Sequence, residues 1–237
     1  MEHVHYGLAD GIATIRIDDG KRNALSPQVL REIHAALDRA RIDRATIVLT
    51  GRDDVFSAGF DLTVMNRGGA RALGMLRAGY SLPARVLAYP YPVIAACNGH
   101  ALAMGVFLML SADYVVGTRG DFKIAANEVA IGMTMPRVAA AVLENRLAPA
   151  AFQRAVTLAE YFDAEAALRA GFFDELAAPG EALTRAIELA KSYQALDAYS
   201  HKASKRQVRA PLIRKLRYSV PLDLVSALRA GIRRSSV

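Results

Sequence analysis

Little in this chain can be cross-linked, metallated or inserted into a membrane. It holds one cysteine, Cys97, so no intramolecular disulfide can form, and a reducing, cytoplasmic setting is expected. Cys97 lies in an apolar run with no activating partner, and reads as a small core residue rather than a nucleophile. His3, His5, His34 and His201 do not cluster, so no metal site is expected. The opening Glu2-His3-Val4-His5 lacks a basic segment followed by an apolar one and does not read as a signal peptide. The apolar stretch from Val93 to Val116 is broken by Asn98, Gly99, His100, Gly105 and Asp113, so it reads as strand, loop and buried helix rather than a membrane span. No sequence-level repeat or low-complexity linker is present.

What is present suits a globular chain. Hydrophobic residues make up 53% of 237, enough for one large core or a core with an appendage. Charged residues at 22% exclude a disordered chain. The net charge of +7 is partly local. Lys202, Lys205, Arg206, Arg209, Arg214, Lys215 and Arg217 cluster towards the C-terminus, followed by Arg229, Arg233 and Arg234. This basic tail fits either a solvated helix face or a polyanionic ligand. No aromatic stacking pattern or zinc spacing supports nucleic acid.

The periodicity alternates between strand and helix. In Ile12–Ile17, Ala13, Ile15 and Ile17 share one face, which is strand spacing, and Asp18-Asp19-Gly20 ends it as a turn. Ser26 caps a helix with Pro27 at its first position, and Val29, Leu30, Ile33, Leu37 and Ala40 recur at helical spacing. The run from Ala45 to Thr50 reads as a buried strand. The pattern repeats: strand Pro92 to Ala96, helix from about Met104 to Ala112, strand Tyr114 to Gly117, then a helix Ala164 to Ala170 between Asp163 and Gly171. This predicts an α/β core over residues 1–178. A helical region follows over 179–237, with Leu183, Ile187, Ala190 and Tyr193 on one face and Pro211 and Pro221 dividing the tail into shorter helices.

Two glycine-bearing segments carry the chemistry. In Phe56-Ser57-Ala58-Gly59-Phe60-Asp61-Leu62 a run of small residues lets a ligand approach the backbone, and Asp61 is placed to cap the next helix. In Asn98-Gly99-His100-Ala101-Leu102-Ala103-Met104-Gly105 the chain turns and a helix starts near Met104, where backbone N–H groups lack intrahelical acceptors. Two such N–H groups aimed at one carbonyl oxygen make an oxyanion hole. On residues alone, each segment also fits an ordinary strand-to-helix turn, and Glu128 fits a surface or cap residue. Asp113 reads as fixing a buried turn, and His100 as a loop residue.

Taken in order, these segments resemble the crotonase superfamily, the enoyl-CoA hydratase/isomerase family. The resemblance also rests on Lys21-Arg22-Asn23-Ala24-Leu25-Ser26, Ala112-Asp113, Asn127-Glu128-Val129-Ala130-Ile131-Gly132 and Ala164-Glu165-Ala166-Ala167-Leu168-Arg169-Ala170-Gly171. It implies a spiral of strand–strand–helix units and a C-terminal helical region that builds a homotrimer or a dimer of trimers. It also implies an acyl-CoA substrate, with coenzyme A as part of that substrate and no separate cofactor. Carried over by position, Phe60 and Met104 supply the two oxyanion-hole N–H groups. Lys21, Arg22, Asn23, Ala24, Ala58, Asp61 and Leu62 fall where the family holds coenzyme A. Phe107 and Ile131 fall in the acyl pocket.

The departures shape the expected reaction. Hydratases of the family use two glutamates, and here the first position is Phe107 while the second is Glu128. One carboxylate can shuttle a proton between two carbons but is poorly equipped to add water. This is similar to the 3-enoyl-CoA to 2-enoyl-CoA isomerases of the family, as are Met135-Pro136 and Leu143-Glu144-Asn145. Phe107, Val129 and Ile131 are expected to raise the basicity of Glu128 by excluding water. The tail is short for the family, leaving Lys202 and Lys205 as candidate coenzyme A contacts. Alternatives are a hydratase or another enolate-forming acyl-CoA enzyme, and a non-catalytic protein binding CoA esters or RNA.

Overall fold

The computed structural model describes residues 1–52 and 54–235, with side chains described as far as residue 230. Asp53 in the turn before the first glycine segment, and the Arg233 and Arg234 side chains of the basic tail, lie outside the described residues. The chain opens with strands β1 (Val4–Ala9), β2 (Ile12–Ile17) and β3 (Ala24–Leu25), then helix α1 (Pro27–Ile42). Strands β4 (Thr46–Thr50), β5 (Val55–Ser57) and β6 (Gly59–Phe60) lead into helices α2 (Leu62–Arg67) and α3 (Gly69–Leu87). The second half of the core holds β7 (Val93–Cys97), β8 (His100–Leu102), α4 (Met104–Met109), β9 (Tyr114–Thr118) and β10 (Ile124–Ala125). Helices α5 (Arg137–Arg146), α6 (Pro149–Leu158) and α7 (Ala164–Ala170) follow, then β11 (Glu175–Ala177), α8 (Ala182–Tyr193) and α9 (Ala198–Ser235).

The main sheet has the order β1-β2-β4-β7-β9-β11, antiparallel between β1 and β2 and parallel elsewhere. A parallel sheet is covered on both faces, so its strands read as continuous apolar runs. Strand β4 is buried at all five positions. Its alternation splits the core: Ile47 and Leu49 join the large core beneath, while Val48 joins Ile94, Ala96 and Val116 under α8. From α8, Ala182, Ala186 and Ala190 close this second layer, with Leu183, Ile187 and Tyr193 partly buried beside them. Cys97 is fully buried in the large core; burial pushes its thiol up to about 12, so it stays protonated.

Two small parallel sheets, β10-β8-β5 and β3-β6, stand beside the main one and carry the glycine segments. The expected caps are in place: Ser26 Oγ accepts from Val29 N, Asp61 Oδ1 from Thr63 N and Asp163 Oδ1 from Ala166 N. Strand β1 was not foreseen. Val4, Tyr6 and Leu8 share one face, but only Val4 is buried with Tyr6 partly so, and Gly7 and Ala9 are poor strand formers that weaken the local signal.

The tail corrects one expectation. Pro211 and Pro221 do not divide it; both lie inside the single helix α9. An interior proline costs about 3 kcal/mol by removing a hydrogen bond and crowding the preceding turn. Tertiary contacts offset that cost here. Ile213 and Leu216 are buried in the main core, and α9 packs along α3 and α5. Asp223, 4% exposed, accepts hydrogen bonds from the backbone N–H groups of Arg137 and Val138 and from the Arg137 guanidinium. The start of α5 has no local side-chain cap, so a residue 85 positions away supplies it. No described helix is long and apolar enough to cross a membrane.

Asp223→Ala is expected to destabilise the fold by about 2–3 kcal/mol, since it leaves the first turn of α5 without its charged acceptor. Urea unfolding measures this as a lower midpoint with an unchanged slope; a midpoint equal to wild type would refute the tertiary cap.

Candidate active site

The early loop is held by hydrogen bonds that face inwards. Asn23 is fully buried with φ 53°, in the left-handed region that asparagine tolerates better than most residues. Its side-chain amide donates to the carbonyls of Ile17, Val55 and Phe56, and its Oδ1 accepts from Asp19 N. Its carbonyl accepts from Ser57 Oγ, and its N–H donates to Asp19 Oδ1. Asn23 therefore fastens β2, β5 and the loop together, and its side chain is committed to the fold rather than free for a ligand. Ala24 N is likewise taken by Asp19 Oδ2. Lys21 and Arg22 remain exposed.

This loop joins the first glycine segment directly. Ala58 N donates to the Arg22 carbonyl at 3.0 Å, and the β3–β6 ladder aligns Ala24 with Gly59 and Leu25 with Phe60. The second glycine segment packs on the first with no side chain between them. A β-carbon placed on Gly59 would lie 2.9 Å from Ala103 Cβ and 3.3 Å from Met104 N. One placed on Gly105 would lie 2.6 Å from the Ser57 carbonyl. Met104 opens α4, so its N–H is not used by the helix. Ala103 before it has φ 49° and ψ −125°, a conformation natural for glycine and costly for alanine, on the order of 1–3 kcal/mol.

Glu128 follows β10, a strand of the same small sheet as β5 and β8, and opens the 3₁₀ turn Val129–Ile131. Ala103 N donates to the Ala125 carbonyl at 2.9 Å, and Glu128 is three residues further along. Three residues span at most roughly 11 Å, which keeps Glu128 close to Met104. Glu128 is 5% exposed, and its Oε2 has no hydrogen-bond partner among the described residues. Burial pushes its pKa from 4.5 up to about 7, with its own backbone N–H acting in the opposite direction. Glu128 is thus neither a surface residue nor a side-chain cap. Val129 and Ile131, expected to exclude water from Glu128, are themselves 43% and 42% exposed in the short 3₁₀ turn Val129–Ile131. Phe107 does lie in the core, 1% exposed.

Two residues that sequence reasoning missed line this region. Tyr80 of α3 is 3% exposed, stands edge-on to Phe60 with ring centroids 5.6 Å apart, and has its hydroxyl pKa raised by burial, then by the charges of Asp223 and Glu128. Gly79 beside it receives the Phe60 ring, since a β-carbon there would meet that ring at 2.3 Å. The absent side chain at 79 is what admits a phenylalanine at 60. Helical spacing in α3 could have flagged Tyr80 as inward-facing, but nothing local links it to residue 60.

Other expectations resolve as scaffold. Asp61 caps α2, and Leu62 is exposed. Asp113 accepts from Val93 N and pairs with Lys205 and Arg209. Lys205 is therefore no free coenzyme A contact: its ammonium is buried against Asp113 and the Tyr91 carbonyl, and burial pulls its pKa down to about 8. His100 Nδ1 accepts from Lys123 N, and its ring stands on Phe122.

Gly79→Ala is expected to destabilise the protein by about 1–3 kcal/mol by driving a methyl into the Phe60 ring. Made in a Phe60→Ala background, Gly79→Ala should cost little, because the ring it would meet is gone. A cycle measured by thermal or urea unfolding that shows no coupling would refute the paired fit.

Comparison with known proteins agrees with this arrangement. Residues 7–224 match the family model described as enoyl-CoA hydratase/isomerase. A probable enoyl-CoA hydratase of Mycobacterium avium is 34% identical over 195 residues, covering 81% of this chain and 74% of the relative. The human mitochondrial enoyl-CoA delta isomerase 1 is 28% identical over 204 residues, covering 84% and 68%. Among solved structures, an enoyl-CoA isomerase of Mycobacterium tuberculosis superposes with a TM-score of 0.89 at 42% identity, covering 93% and 96% of the two chains. The α/β architecture is crotonase-like, and the chain belongs to the enoyl-CoA hydratase/isomerase family of the crotonase superfamily.

Proposed function

We propose that this enzyme is an enoyl-CoA isomerase that moves a double bond from the 3- to the 2-position of an acyl-CoA. One observation carries the reading: Glu128 is a buried carboxylate with an unpartnered oxygen, the other buried carboxylate among the described residues, Asp223, is taken up by the head of α5, and the position of a second acid is held by the core residue Phe107. The thioester carbonyl accepts hydrogen bonds from the N–H groups of Phe60 and Met104. Glu128 takes the proton from the carbon next to the carbonyl, and the electron pair spreads over the dienolate to the carbonyl oxygen. The electrons then return through the conjugated system as Glu128 gives the same proton back two carbons further on. No water is consumed and no net charge is made. Each hole donor typically contributes about 2.7–4 kcal/mol.

Coenzyme A is held as part of the substrate. Lys21 and Arg22 draw its phosphates, the backbone around Ala24 and Ala58 borders its adenine, and Asp61 and Leu62 flank the cleft. Asn23 contributes by holding that loop in shape. Phe60 and Phe107 set the acyl pocket, and Ile131, exposed on the single chain, borders its mouth. A trimer or a dimer of trimers would cover such surface residues. A second reading, hydration of 2-enoyl-CoA, is favoured by the names of several relatives, including the one from Mycobacterium avium.

Incubation with 3-enoyl and 2-enoyl-CoA esters of varied length separates the two. The isomerase reading expects 3-enoyl-CoA to become conjugated and crotonyl-CoA absorbance to persist; rapid loss of that absorbance would instead establish hydration. Glu128→Gln should remove nearly all turnover.

The raised pKa of Glu128 has a signed consequence. The base works only when ionised, so kcat/KM should climb as pH rises through about 7. The same shift costs stability as pH rises from 4.5 through about 7, because the folded state must then hold a buried charge. The full effect is on the order of 3 kcal/mol. Glu128→Gln should therefore gain stability relative to wild type at pH 8 but not at pH 4, as read by melting temperature; a constant difference across that range would refute the buried, titrating carboxylate.

A further inference from the structure

The basic tail remains unexplained by the thioester site. Part of it lines a separate cavity of about 1040 Å³ between α1, α3 and α9. Arg41 and Arg44 enter it from the end of α1 and the turn after it, Arg85 from α3, and Lys202 and Arg217 from α9. No carboxylate is among the lining residues. Arg85 is held in place: its guanidinium bonds His34 Nδ1 at 2.8 Å and pairs with Asp38, while His34 Nε2 bonds the Ala78 carbonyl. Arg41, Arg44, Lys202 and Arg217 make no ion pair among the described residues.

Cations beside helix C-termini have an ordinary explanation, since they complement the helix dipole. Magnitudes decide against that as the whole account. α1 and α3 both end here, each presenting about half a negative charge. Together they balance roughly one cation, and Asp38 balances Arg85. About three positive charges remain without compensation in a concave space, where field lines from several sides add. The walls also carry aromatic surface. Tyr199 is 82% exposed, and Tyr91 is half-buried.

We propose that this cavity binds a nucleoside polyphosphate, with the phosphates among Arg41, Arg44 and Lys202 and the base on Tyr199. The site is distinct from the thioester cleft. The coenzyme A loop lies before α1, whereas the phosphate-binding Arg41 and Arg44 lie at and beyond its far end, and the helix rises about 21 Å between Pro27 and Arg41. The inference is independent of which reaction the thioester site performs.

Isothermal titration of the full chain with ATP, inorganic triphosphate and coenzyme A tests it. Wild type should bind ATP more tightly than triphosphate, and saturating coenzyme A should not displace ATP. The charge reversal Arg41→Glu/Arg44→Glu, at two exposed positions, should weaken ATP at least about tenfold while acyl-CoA turnover is unchanged. Tyr199→Ala should weaken ATP but not triphosphate. Rising salt should weaken both. Absence of ATP binding, equal affinity in the charge-reversed protein, or complete displacement by coenzyme A would each overturn the proposal. Equal affinity for triphosphate would overturn the nucleoside assignment. Loss of ATP binding in Lys202→Glu supplies the same reading should the double variant fail to fold. A change of assembly mass in the double variant with no ATP binding would assign the cations to an interface between copies and overturn it as well.

Discussion

The site depends on two stretches of backbone touching without side chains between them. Ser57–Phe60 and Leu102–Gly105 approach so closely that β-carbons on Gly59 and Gly105 would fall within 3 Å of atoms in the facing segment. A hydrogen-bonded strand pair would use up its N–H groups in the ladder. Here the ladder stops at β6 and β8, and the chain passes directly into a cap or a helix start on each side. The N–H of Met104 at the head of α4 is not used by its helix; on the proposed reading it and the Phe60 N–H meet the thioester, and rigid donors are worth far more to a reacting oxyanion than mobile ones. The Asn23 network supplies that rigidity from a third direction, because it locks the early loop to the same strands.

Such a site is not the most stable arrangement available to the chain. Ala103 occupies a glycine-like conformation, and Glu128 keeps an oxygen unpaired in a buried position. Each feature costs on the order of 1–3 kcal/mol. They persist because the elements around them are over-determined. The parallel sheet is covered on both faces, Asp113 ties β7 to α9 through Lys205 and Arg209, and Asp223 ties α9 to the head of α5. The long terminal helix thus braces the elements around the site from outside, and that tertiary load also explains how it runs through two prolines.

Elements with strong local signals were legible in the sequence. Strand β2, helix α1 with Ser26 and Pro27, and helix α7 between Asp163 and Gly171 combine periodicity with turn or capping chemistry; the bounds of β2 and α7 match, and so does the start of α1. Strand β1 gave a weak signal because Gly7 and Ala9 disfavour strands and only Val4 and Tyr6 pack on the core. The continuity of α9 was invisible because it is decided by packing against α3 and α5, while propensity points the other way. The same division holds at the site. The two glycine segments stand out by residue type, but Glu128 was singled out only through the family resemblance. The commitment of Asn23 to the fold, the exposure of Val129 and Ile131, and the seat of Phe60 on Gly79 are relations between distant residues that no local pattern encodes.

On the proposed reading, losing a carboxylate at position 107 tunes the one that remains. Two acids sharing one apolar pocket cannot both ionise near neutrality, since each raises the other's pKa. A pair divides the labour: one member stays protonated and the other activates water. A lone acid that must both take and return the same proton works best when neither form is strongly favoured, that is, with a pKa near the working pH. Desolvation alone brings Glu128 to about 7, with no second carboxylate required. Phe107 then does more than fill space. An uncharged core residue leaves burial as the dominant influence on Glu128, which is the condition a reversible proton shuttle needs and a hydratase does not.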